Sequence, residues 1–442
     1  MTKTKHLSAI PDLQTLVRSL ATENGFFLLD SAREDSSMST STWLGVRPSA
    51  QITIDRDDPG DAILKLEGFY HKHRKASMEE TGFKTGFLGF LSYDLGHAFL
   101  GLAIPEDRET KVPLAQFGYY PVLLELRGEE GFLHWDLEAE AEAMVFLNQL
   151  EGLMPEPDPD SCEQGGPFRL QEEEDLEAYL KKIRRIRDYI YEGEVYQVNY
   201  TRQFAGTRSP LAADELYLCL REMNPAPFAA YLKGPDWSIL SSSPERLIRC
   251  QKGILQTKPI KGTVAVGSTP AADSLNRAWL MNSQKDRSEL LMIVDLERND
   301  LAKVSKPGTV RVDKLFEMET YETVHHLVAT VSSMKRSGLS PFRILEGVFP
   351  GGSITGTPKR RSMEIIAELE DHPRGVYTGS IGYIGNNGDF DFNIAIRTII
   401  QDGSRLLFNA GGGITWKSDA EAEFMETEVK ALGMKRGLRY EV

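Results

Sequence analysis

The chain has 442 residues, of which 41% are apolar and 26% are charged, and its formal net charge is −14. This composition predicts a folded globular protein rather than a disordered one. The negative charge argues against a nucleic-acid partner, because binding a polyanion depends on clustered Lys and Arg. No apolar run approaches the roughly 20 residues that span a bilayer, and the N-terminus lacks a signal-peptide core, so we expect a cytoplasmic protein without membrane contact.

The first part of the chain has a mixed pattern. Short apolar runs at 26–29, 51–54 and 86–93 predict strands, and 137–150 predicts a helix. Residues 151–168 carry four prolines and three glycines, which interrupt every periodic pattern. The sequence therefore predicts an N-terminal region at 1–150, a linker at 151–168 and a second region at 169–442.

The second region begins with a helix. Leu176, Leu180 and Ile183 start a spacing of three and four residues that continues to residue 190, and Gly193 offers a stop. The strand predicted at 195–204 alternates so that Gln197, Asn199 and Thr201 share one polar face, which suits a strand that lines a site. Further helices are predicted at 272–304, with a break near 282–284, and at 362–370.

Strands return near the C-terminus. The runs 377–384, 389–401 and 405–414 are joined by Asn387-Gly388 and Asp402-Gly403, which favour hairpin turns, so the pattern predicts an antiparallel meander. Ser418, with Glu421 three residues later, is the signature of a capping box and predicts a C-terminal helix. Antiparallel strands with interspersed helices predict an α+β fold.

Two motifs offer candidate catalytic groups. In QTKPIKGTVAVG, at 256–267, Lys261 lies between a proline-stiffened strand and a glycine. Its amine is a candidate nucleophile if burial or nearby cations keep it neutral, although a surface lysine beside a turn fits the same letters. In SSSPER, Glu245 follows a proline turn and suits a general acid in an apolar setting. Pairing of Glu245 with the adjacent arginine is the alternative.

Acidic residues on two predicted helices suit a hard cation. Glu289 lies beside the apolar stripe of DRSELLMIVDLERND, where a free carboxylate is costly unless it is paired or binds a cation. Glu423, Glu426 and Lys430 share one face of the last helix, and carboxylate oxygens are ligands that Mg²⁺ prefers. A solvated helix edge and an ordinary i,i+4 ion pair are the alternatives.

Glycines form the last constellation. In NAGGGIT, Gly411, Gly412 and Gly413 expose backbone N–H groups and permit close approach of a carboxylate, although a tight turn explains them equally well. The stretch GGSITGTPK at 351–359 lacks the Gly-Lys-Ser/Thr ending of a phosphate loop, so we reject nucleotide binding there. The global negative charge opposes a dicarboxylate substrate, which would require local cations and a metal.

Several motifs together resemble the chorismate-utilising enzyme family, in the family's order along residues 175–440: SSSPER, PIKGT, DRSELLMIVDL, ETVHHL, PGGSITGTPK, GSIGYIG, IAIRT, NAGGGIT and ETEVK. The resemblance implies an anthranilate synthase component I-like α+β fold, with large antiparallel sheets packed as a sandwich and helices outside. FFLLDSA at 26–32 resembles the N-terminal region of the amino-transferring members. Whether this region binds tryptophan or another regulator stays open, because Asp30 stands where tryptophan-binding members usually have Glu.

The resemblance also implies a role for each matching residue. Glu289 and Glu426 match ligands of a magnesium ion, with Glu423 reached through water. The cradle of the ring carboxylate is matched by Gly411, Gly412, Gly413 and Lys430. Arg397 and Tyr377 match the residues that bind the enolpyruvyl carboxylate, which a planar guanidinium suits. His326 matches a histidine on the ring side of the substrate, and Thr263 and Ser353 match substrate-binding positions.

Two positions select a branch of the family. Anthranilate-forming members carry alanine at the position of Lys261. With the lysine, the resemblance implies that the amine adds at C2 while the C4 hydroxyl leaves with a proton from Glu245, and that ammonia then attacks C4. The product is 4-amino-4-deoxychorismate, for p-aminobenzoate and folate synthesis. Isochorismate-forming members place a lysine base at the position of Gln197. Anthranilate formation is the leading alternative, followed by an inactive chorismate-binding subunit.

An ammonia-using enzyme needs a source of NH₃, because the ammonium ion has no lone pair with which to attack. A glutaminase of the family's type uses a cysteine activated by histidine on a glycine-flanked turn. Cys162, Cys219 and Cys250 lack that setting and form no CxxC pair, so we expect them to be reduced structural thiols. The expected partner is therefore a separate glutamine amidotransferase subunit of class I.

Overall fold

The structure is a computed structural model that describes residues 2–32, 41–75, 82–107, 110–153, 170–172, 174–207, 211–321 and 324–438. Most of the predicted linker, residues 154–168, and Cys162 within it lie outside the described residues. The other two cysteines, Cys219 and Cys250, are buried free thiols. No helix in the described part of the chain is long and apolar enough to cross a bilayer.

Eleven α-helices lie within the described ranges. They are α1 (Leu13–Leu20), α2 (Ala62–His73), α3 (Leu95–Phe99), α4 (Glu140–Glu151), α5 (Leu176–Tyr191), α6 (Ala213–Met223), α7 (Pro270–Asn282), α8 (Gln284–Val304), α9 (Pro341–Val348), α10 (Lys359–Leu369) and α11 (Ala420–Gly437).

The first of two antiparallel sheets has twelve strands in the described residues. In spatial order they are β1 (Thr2–Leu7), β8 (Glu130–Asp136), β7 (Val122–Arg127), β3 (Thr42–Gly45), β2 (Phe27–Asp30), β11 (Phe228–Lys233), β12 (Trp237–Ser243), β21 (Thr398–Asp402), β22 (Arg405–Ile414), β10 (Gln197–Thr207) and β18 (Gly356–Thr357), with β9 (Leu170–Glu172) beside β10.

The second sheet has ten strands in the same ranges. Their spatial order is β15 (Ile260–Ala265), β17 (Val324–Met334), β14 (Ile254–Thr257), β13 (Arg246–Gln251), β20 (Phe390–Asn393), β19 (Ser380–Gly385), β5 (Gly86–Leu91), β6 (Ala115–Tyr120) and β4 (Ala50–Ile54), with β16 (Arg311–Thr320) beside β17. Strands from before residue 151 and after residue 169 share both sheets, since β2 pairs with β11 and β5 pairs with β19.

The two sheets pack face to face, with helices on their outer faces. An apolar layer between the sheets joins Leu123 and Ile239 of the first sheet to Phe90 and Ile381 of the second. A second cluster packs α1, α4, α6 and α11 on the outer face of the first sheet, and a third packs α2, α8 and α9 on the second. A fourth packs α5 and α10 against β10 of the first sheet. Burial of these apolar faces is the main stabilising contribution. The predicted α+β sandwich with helices outside is confirmed.

Local signals explain the helix boundaries around the site. The Asp175 side chain accepts a hydrogen bond from the Ala178 N–H at the start of α5, and Gly193 follows the helix with φ of +79°. The predicted break at 282–284 is confirmed, because Ser283 ends α7 and its side chain caps α8. The predicted capping box at Ser418 is wrong: the cap of α11 is Asp419, which accepts from the Ala422 N–H at 3.0 Å.

The predicted C-terminal meander is also partly wrong. The run 389–401 is two strands, β20 in the second sheet and β21 in the first. The chain crosses between the sheets at 394–397, where Arg397 has φ of +51°. The hairpins β19–β20 and β21–β22 do form, but in different sheets. The crossing is hidden in the sequence because Ile394 and Ala395 are as buried and apolar as strand residues.

Candidate active site

Lys261 lies on an irregular part of β15. The register between β15 and β17 shifts between Lys261 and Thr263, and Gly262 between them has φ of +68°. A Cβ on Gly262 would lie 2.7 Å from Leu280 and 2.9 Å from Asp286, so a side chain does not fit there. The partly buried Lys261 amine donates a 3.5 Å hydrogen bond to the Ser353 carbonyl oxygen. Lys261 therefore points at the 351–354 turn rather than into solvent.

Glu245 is buried and does not pair with the adjacent arginine. Its residue is 7% exposed, and Arg246 instead donates to both oxygens of Asp391 at 2.8 and 2.9 Å. One Glu245 oxygen, Oε1, has no hydrogen-bond partner among the described residues. Burial raises the pKa of Glu245 above its usual value, and the nearby charge of Lys261 opposes that rise. The site thus contains a carboxyl group favouring its protonated form beside a lysine.

Carboxylates of α11 meet the glycine-rich strand at Gly412. A Cβ on Gly412 would lie 3.2 Å from Glu423 Oε2, 3.7 Å from Lys430 Nζ and 3.9 Å from Glu426 Oε1. Lys430 donates to Glu426 Oε1 and to the Gly411 carbonyl oxygen, both at 2.8 Å. The i,i+4 ion pair considered from the sequence is therefore present, and it lies against the glycines.

Helix α8 brings a second set of charges to the same place. Lys285 Nζ is 3.7 Å from Glu423 Oε1. Burial raises the pKa of Glu289 and of Glu423, and Lys285 opposes both rises. Partial desolvation also acts on Glu426, but Lys430, followed by Lys285, holds the pKa of that carboxyl below its usual value. Lys285 was missed from the sequence, although its position four residues before Glu289 on one helix face was a usable signal.

Three carboxylates at this place are candidate metal ligands. No group of three His, Cys, Asp or Glu side chains in the described ranges is arranged to hold a metal ion. The carboxylates of Glu289, Glu423 and Glu426 are nevertheless hard oxygen donors of the type that Mg²⁺ takes. The pKa values of Glu289 and Glu423 are raised, because burial disfavours the charged form of each carboxyl group. The donor set therefore fits a hard cation in type, and Lys285 and Lys430 lie beside two of the same carboxylates.

The outer two glycines of the triplet face β10. A Cβ on Gly411 would lie 2.3 Å from the Tyr200 carbonyl oxygen, and one on Gly413 would lie 2.6 Å from Gln197 Nε2. Residue Gln197 is only 1% exposed, and its Nε2 atom has no hydrogen-bond partner in the part of the chain described. Close packing of β10 on β22 therefore requires glycine at these positions, and Gln197 presents a buried donor to the strand.

Three of the remaining predicted residues lie on the strand pair and the turn that contact Lys261: Thr263, His326 and Ser353. His326 Nδ1 is 2.9 Å from Thr263 Oγ1 across the β15–β17 pair, and Tyr321 packs edge-on against the histidine ring. Ser353 is buried within a short turn, with its hydroxyl unpartnered among the described residues. Tyr377 is buried, and burial raises its pKa. The Arg397 side chain lies at the surface.

The N-terminal segment lines a separate cavity of about 280 Å³ with Trp43, Phe228 and Cys250. Asp30 of this segment accepts hydrogen bonds from Thr42 at 3.0 Å, Tyr217 at 2.9 Å and Arg221 at 2.6 Å. The Asp30 carboxylate is therefore satisfied by donors of the chain itself.

The fold and the site define an α+β sandwich protein in which lysines and carboxylates converge on a glycine-rich strand. A sequence model described as chorismate binding enzyme matches residues 24–436. The chain therefore belongs to the chorismate-binding enzyme family.

Known proteins similar to this chain carry related names. It is 38% identical over 388 residues to aminodeoxychorismate synthase component 1 of Escherichia coli (strain K12), covering 86% of this chain and 83% of that protein. It is 40% identical over 366 residues to an aminodeoxychorismate synthase of Streptomyces griseus, covering 80% of this chain but only 50% of that protein. The crystal structure of anthranilate synthase component I from Streptococcus pneumoniae TIGR4 superposes with a TM-score of 0.79 at 28% identity, covering 90% of this chain and 93% of that one.

Proposed function

We propose that this chain is the chorismate-aminating component of an aminodeoxychorismate synthase, forming 4-amino-4-deoxychorismate. The observation that carries the proposal is the position of Lys261 near Glu245, a lysine beside a buried carboxyl whose pKa is raised. The names of the similar proteins from Escherichia coli and Streptomyces griseus support the same activity. A lysine beside an acid suits a displacement in which one group attacks carbon while the other protonates the leaving group.

The first half of the reaction replaces the C4 hydroxyl. The lone pair of the neutral Lys261 amine forms a bond to C2 of chorismate, the two conjugated ring double bonds each shift by one position, and the C4–O bond breaks. The departing hydroxyl takes the proton of Glu245 and leaves as water. Burial of Glu245 favours its protonated form in the resting site, which is what a general acid requires.

The second half returns the lysine to its free state. The lone pair of ammonia forms a bond to C4, both ring double bonds shift back, and the bond between C2 and the Lys261 nitrogen breaks. The new ammonium group loses a proton to the Glu245 carboxylate, which restores the acid. The balance is chorismate and ammonia consumed, with 4-amino-4-deoxychorismate and water formed.

Substrate carboxylates would be held by the residues around the glycine triplet. We assign the ring carboxylate to the N–H groups of Gly411–Gly413 and to Lys430, and the enolpyruvyl carboxylate to Tyr377 and Arg397. A magnesium ion held by Glu289 and Glu426, with Glu423 through water, would neutralise the ring carboxylate when bound. We further assign His326, Thr263 and Ser353 to the ring side of the substrate.

The test of the reaction is product analysis. The purified chain, incubated with chorismate, magnesium and ammonium salt at alkaline pH, should form 4-amino-4-deoxychorismate, identified by mass and by conversion to p-aminobenzoate with an added lyase. Fluorescent anthranilate as the main product would favour the alternative suggested by the Streptococcus pneumoniae structure. Without ammonia, the wild type should accumulate a lysine adduct that maps to Lys261 and is absent from Lys261→Ala. An adduct on another residue would exclude Lys261 as the nucleophile.

We also propose a glutamine amidotransferase partner that passes ammonia to this chain in the cytoplasm. The word component in the name of the Escherichia coli relative supports a second component. Cys219 and Cys250 are both buried, which does not suit a glutaminase nucleophile. The chain alone should use ammonium salt and not glutamine, and addition of the amidotransferase should restore glutamine use. Turnover with glutamine by this chain alone would refute the proposal.

A further inference from the structure

An ion pair between two buried side chains follows α10. Glu370 is the C-cap residue of that helix, and Arg374 comes four residues later. The two side chains are 6% and 1% exposed. Arg374 donates from Nε and Nη2 to the two Glu370 oxygens at 2.8 and 2.6 Å, which is the bidentate geometry that a planar guanidinium gives. Neither residue has a role in the reaction described above.

Arg374 also binds main-chain oxygens of two other segments. Its Nη1 donates at 2.8 Å to the carbonyl oxygen of Ile354, in the short turn that carries Ser353. Its Nη2 donates at 2.6 Å to the carbonyl oxygen of Asn199 on β10. One buried guanidinium therefore joins the 352–354 turn to β10.

Glu370 binds the same strand two residues further along. Its Oε1 accepts hydrogen bonds from the N–H and the hydroxyl of Thr201, both at 3.0 Å. In the register of β10 with β22, Thr201 is paired with Gly411. Asn199 is paired with Gly413. The ion pair thus contacts β10 at the two residues that are paired with the outer glycines of the triplet.

The turn depends on this ion pair more than the strand does. Strand β10 is paired with β22 along Val198–Thr207, so we expect loss of Arg374 to displace the turn rather than the strand. The 352–354 turn is three residues long, and one of its oxygens, the Ser353 carbonyl, accepts the 3.5 Å hydrogen bond from Lys261. A shift of the turn would therefore move the acceptor that orients the lysine.

We propose that Arg374 and Glu370 are positioning residues for the nucleophile: they fix the 352–354 turn against β10, so that the Ser353 carbonyl oxygen orients the Lys261 amine. The inference rests on the proposed function and adds two residues to it, which act through the turn. Arginine is required because its fork donates to a carboxylate and to two carbonyl oxygens at once, which the single nitrogen of lysine does not. Because desolvation offsets the attraction within a buried ion pair, stability alone does not account for the arrangement.

The kinetic test compares Arg374→Lys with wild type. Lysine keeps the charge beside Glu370 but loses the fork that joins the turn to β10. The kcat for amination, and the rate of adduct formation at Lys261 without ammonia, should each fall about 10- to 100-fold, because a nucleophile misplaced by about 1 Å attacks slowly. The KM for chorismate should stay within about threefold, whereas a general loosening of the site would raise it as well.

Arg18→Lys is the matched control for this substitution. The Arg18 side chain is 8% exposed and donates to both oxygens of Glu215, between α1 and α6 and outside the candidate site. This variant should retain the wild-type kcat and KM. Wild-type kinetics in Arg374→Lys would overturn the positioning role.

A second measurement does not depend on activity. Unliganded proteins are labelled with a trace of acetic anhydride, and peptide mass analysis gives the labelling rate of Lys261 relative to the exposed Lys181. Loss of one hydrogen bond should raise this relative rate about threefold or more in Arg374→Lys. Arg18→Lys should leave it unchanged. If Arg374→Lys does not fold, Thr201→Val removes one hydrogen bond to Glu370 and should change the rate in the same direction by a smaller factor.

The labelling result separates this inference from the proposed reaction. An unchanged relative rate in the folded variant would overturn the positioning role, whatever product the enzyme forms. A raised rate in a protein that forms no 4-amino-4-deoxychorismate would contradict the proposed function and leave the positioning role in place.

Discussion

Alanine substitutions in the glycine triplet should separate stability from ligand binding. Gly411 is paired in register with Thr201, and its added Cβ would lie 2.3 Å from the Tyr200 carbonyl oxygen and 2.7 Å from the Thr201 Cα. Both contacts are with backbone, so β10 and β22 must move apart. At Gly412 the nearest atom is the end of the Glu423 side chain, at 3.2 Å. That side chain can rotate away, and the sheet is undisturbed.

The size of the two effects follows from these contacts. Forcing a methyl group into packed backbone costs about 1–3 kcal/mol, and Gly411→Ala should lie at the upper end of that range. Gly412→Ala should change the free energy of unfolding by no more than about 0.5 kcal/mol. Its methyl group would occupy the space that we assign to the ring carboxylate. If the methyl group costs the same range of about 1–3 kcal/mol against the bound carboxylate, substrate binding is weakened by about 5- to 150-fold.

Two assays on the same preparations measure this difference. Urea unfolding, followed by circular dichroism, should give a lower midpoint for Gly411→Ala and a wild-type midpoint for Gly412→Ala. Steady-state amination at saturating ammonia should give a raised KM for chorismate in Gly412→Ala. A normal KM in Gly412→Ala would remove the triplet from the binding site. A lowered urea midpoint in Gly412→Ala would show that Glu423 is held more rigidly than the contact distances imply.

Chelation should stop turnover, and magnesium but not calcium should restore it, because Ca²⁺ is larger and takes looser coordination. Full activity of Glu426→Gln in chelator would exclude this carboxylate as a ligand. Gln197→Lys should form isochorismate, because the lysine supplies a base that activates water; the product is detected by chromatography and mass. Abundant isochorismate from the wild type would contradict the assigned branch of the family. Lys359→Met should destabilise the fold by about 3–5 kcal/mol, because Asp300 stays buried. Lys303→Met removes a half-exposed lysine and should lower the free energy of unfolding by about 1 kcal/mol or less. Equal stability losses in the two variants would refute the distinction between a buried and an exposed partner of Asp300.

The sequence predicts the helices and the fold class of this protein better than it predicts which strand belongs to which sheet. Periodicity and caps locate α5 and the break at Ser283, because those signals depend on residues within one or two turns. The crossing at 394–397 leaves no such signal. A strand that changes sheets inside a sandwich stays apolar throughout, since both sheets face the same core. The alternation that continues across Ile394 therefore indicates one strand where the chain forms two.

The candidate site shows the same limit. The motifs name Lys261 and Glu245, and the structure brings them together with the carboxylates of α8 and α11. The partners that set their electrostatics are not local. The hydrogen bond from Lys261 to Ser353 joins residues 92 positions apart, and Lys285 approaches Glu423 from another helix.

A protein with a net charge of −14 repels a dianion, so the charges at the site must offset this repulsion locally. Three lysines face four carboxyl groups there: Lys261, Lys285 and Lys430 against Glu245, Glu289, Glu423 and Glu426. If all seven groups were ionised, the site would carry a negative charge before the substrate arrived. The proposed attack requires a neutral Lys261, which would make the site still more negative. A proton on Glu245 and a divalent cation beside Glu289 each reduce that excess, and both act where the substrate carboxylates would lie. Under the proposed function, a protonated Glu245 and a bound divalent cation would act on binding as well as on chemistry, so loss of either should raise the KM for chorismate as well as lower kcat.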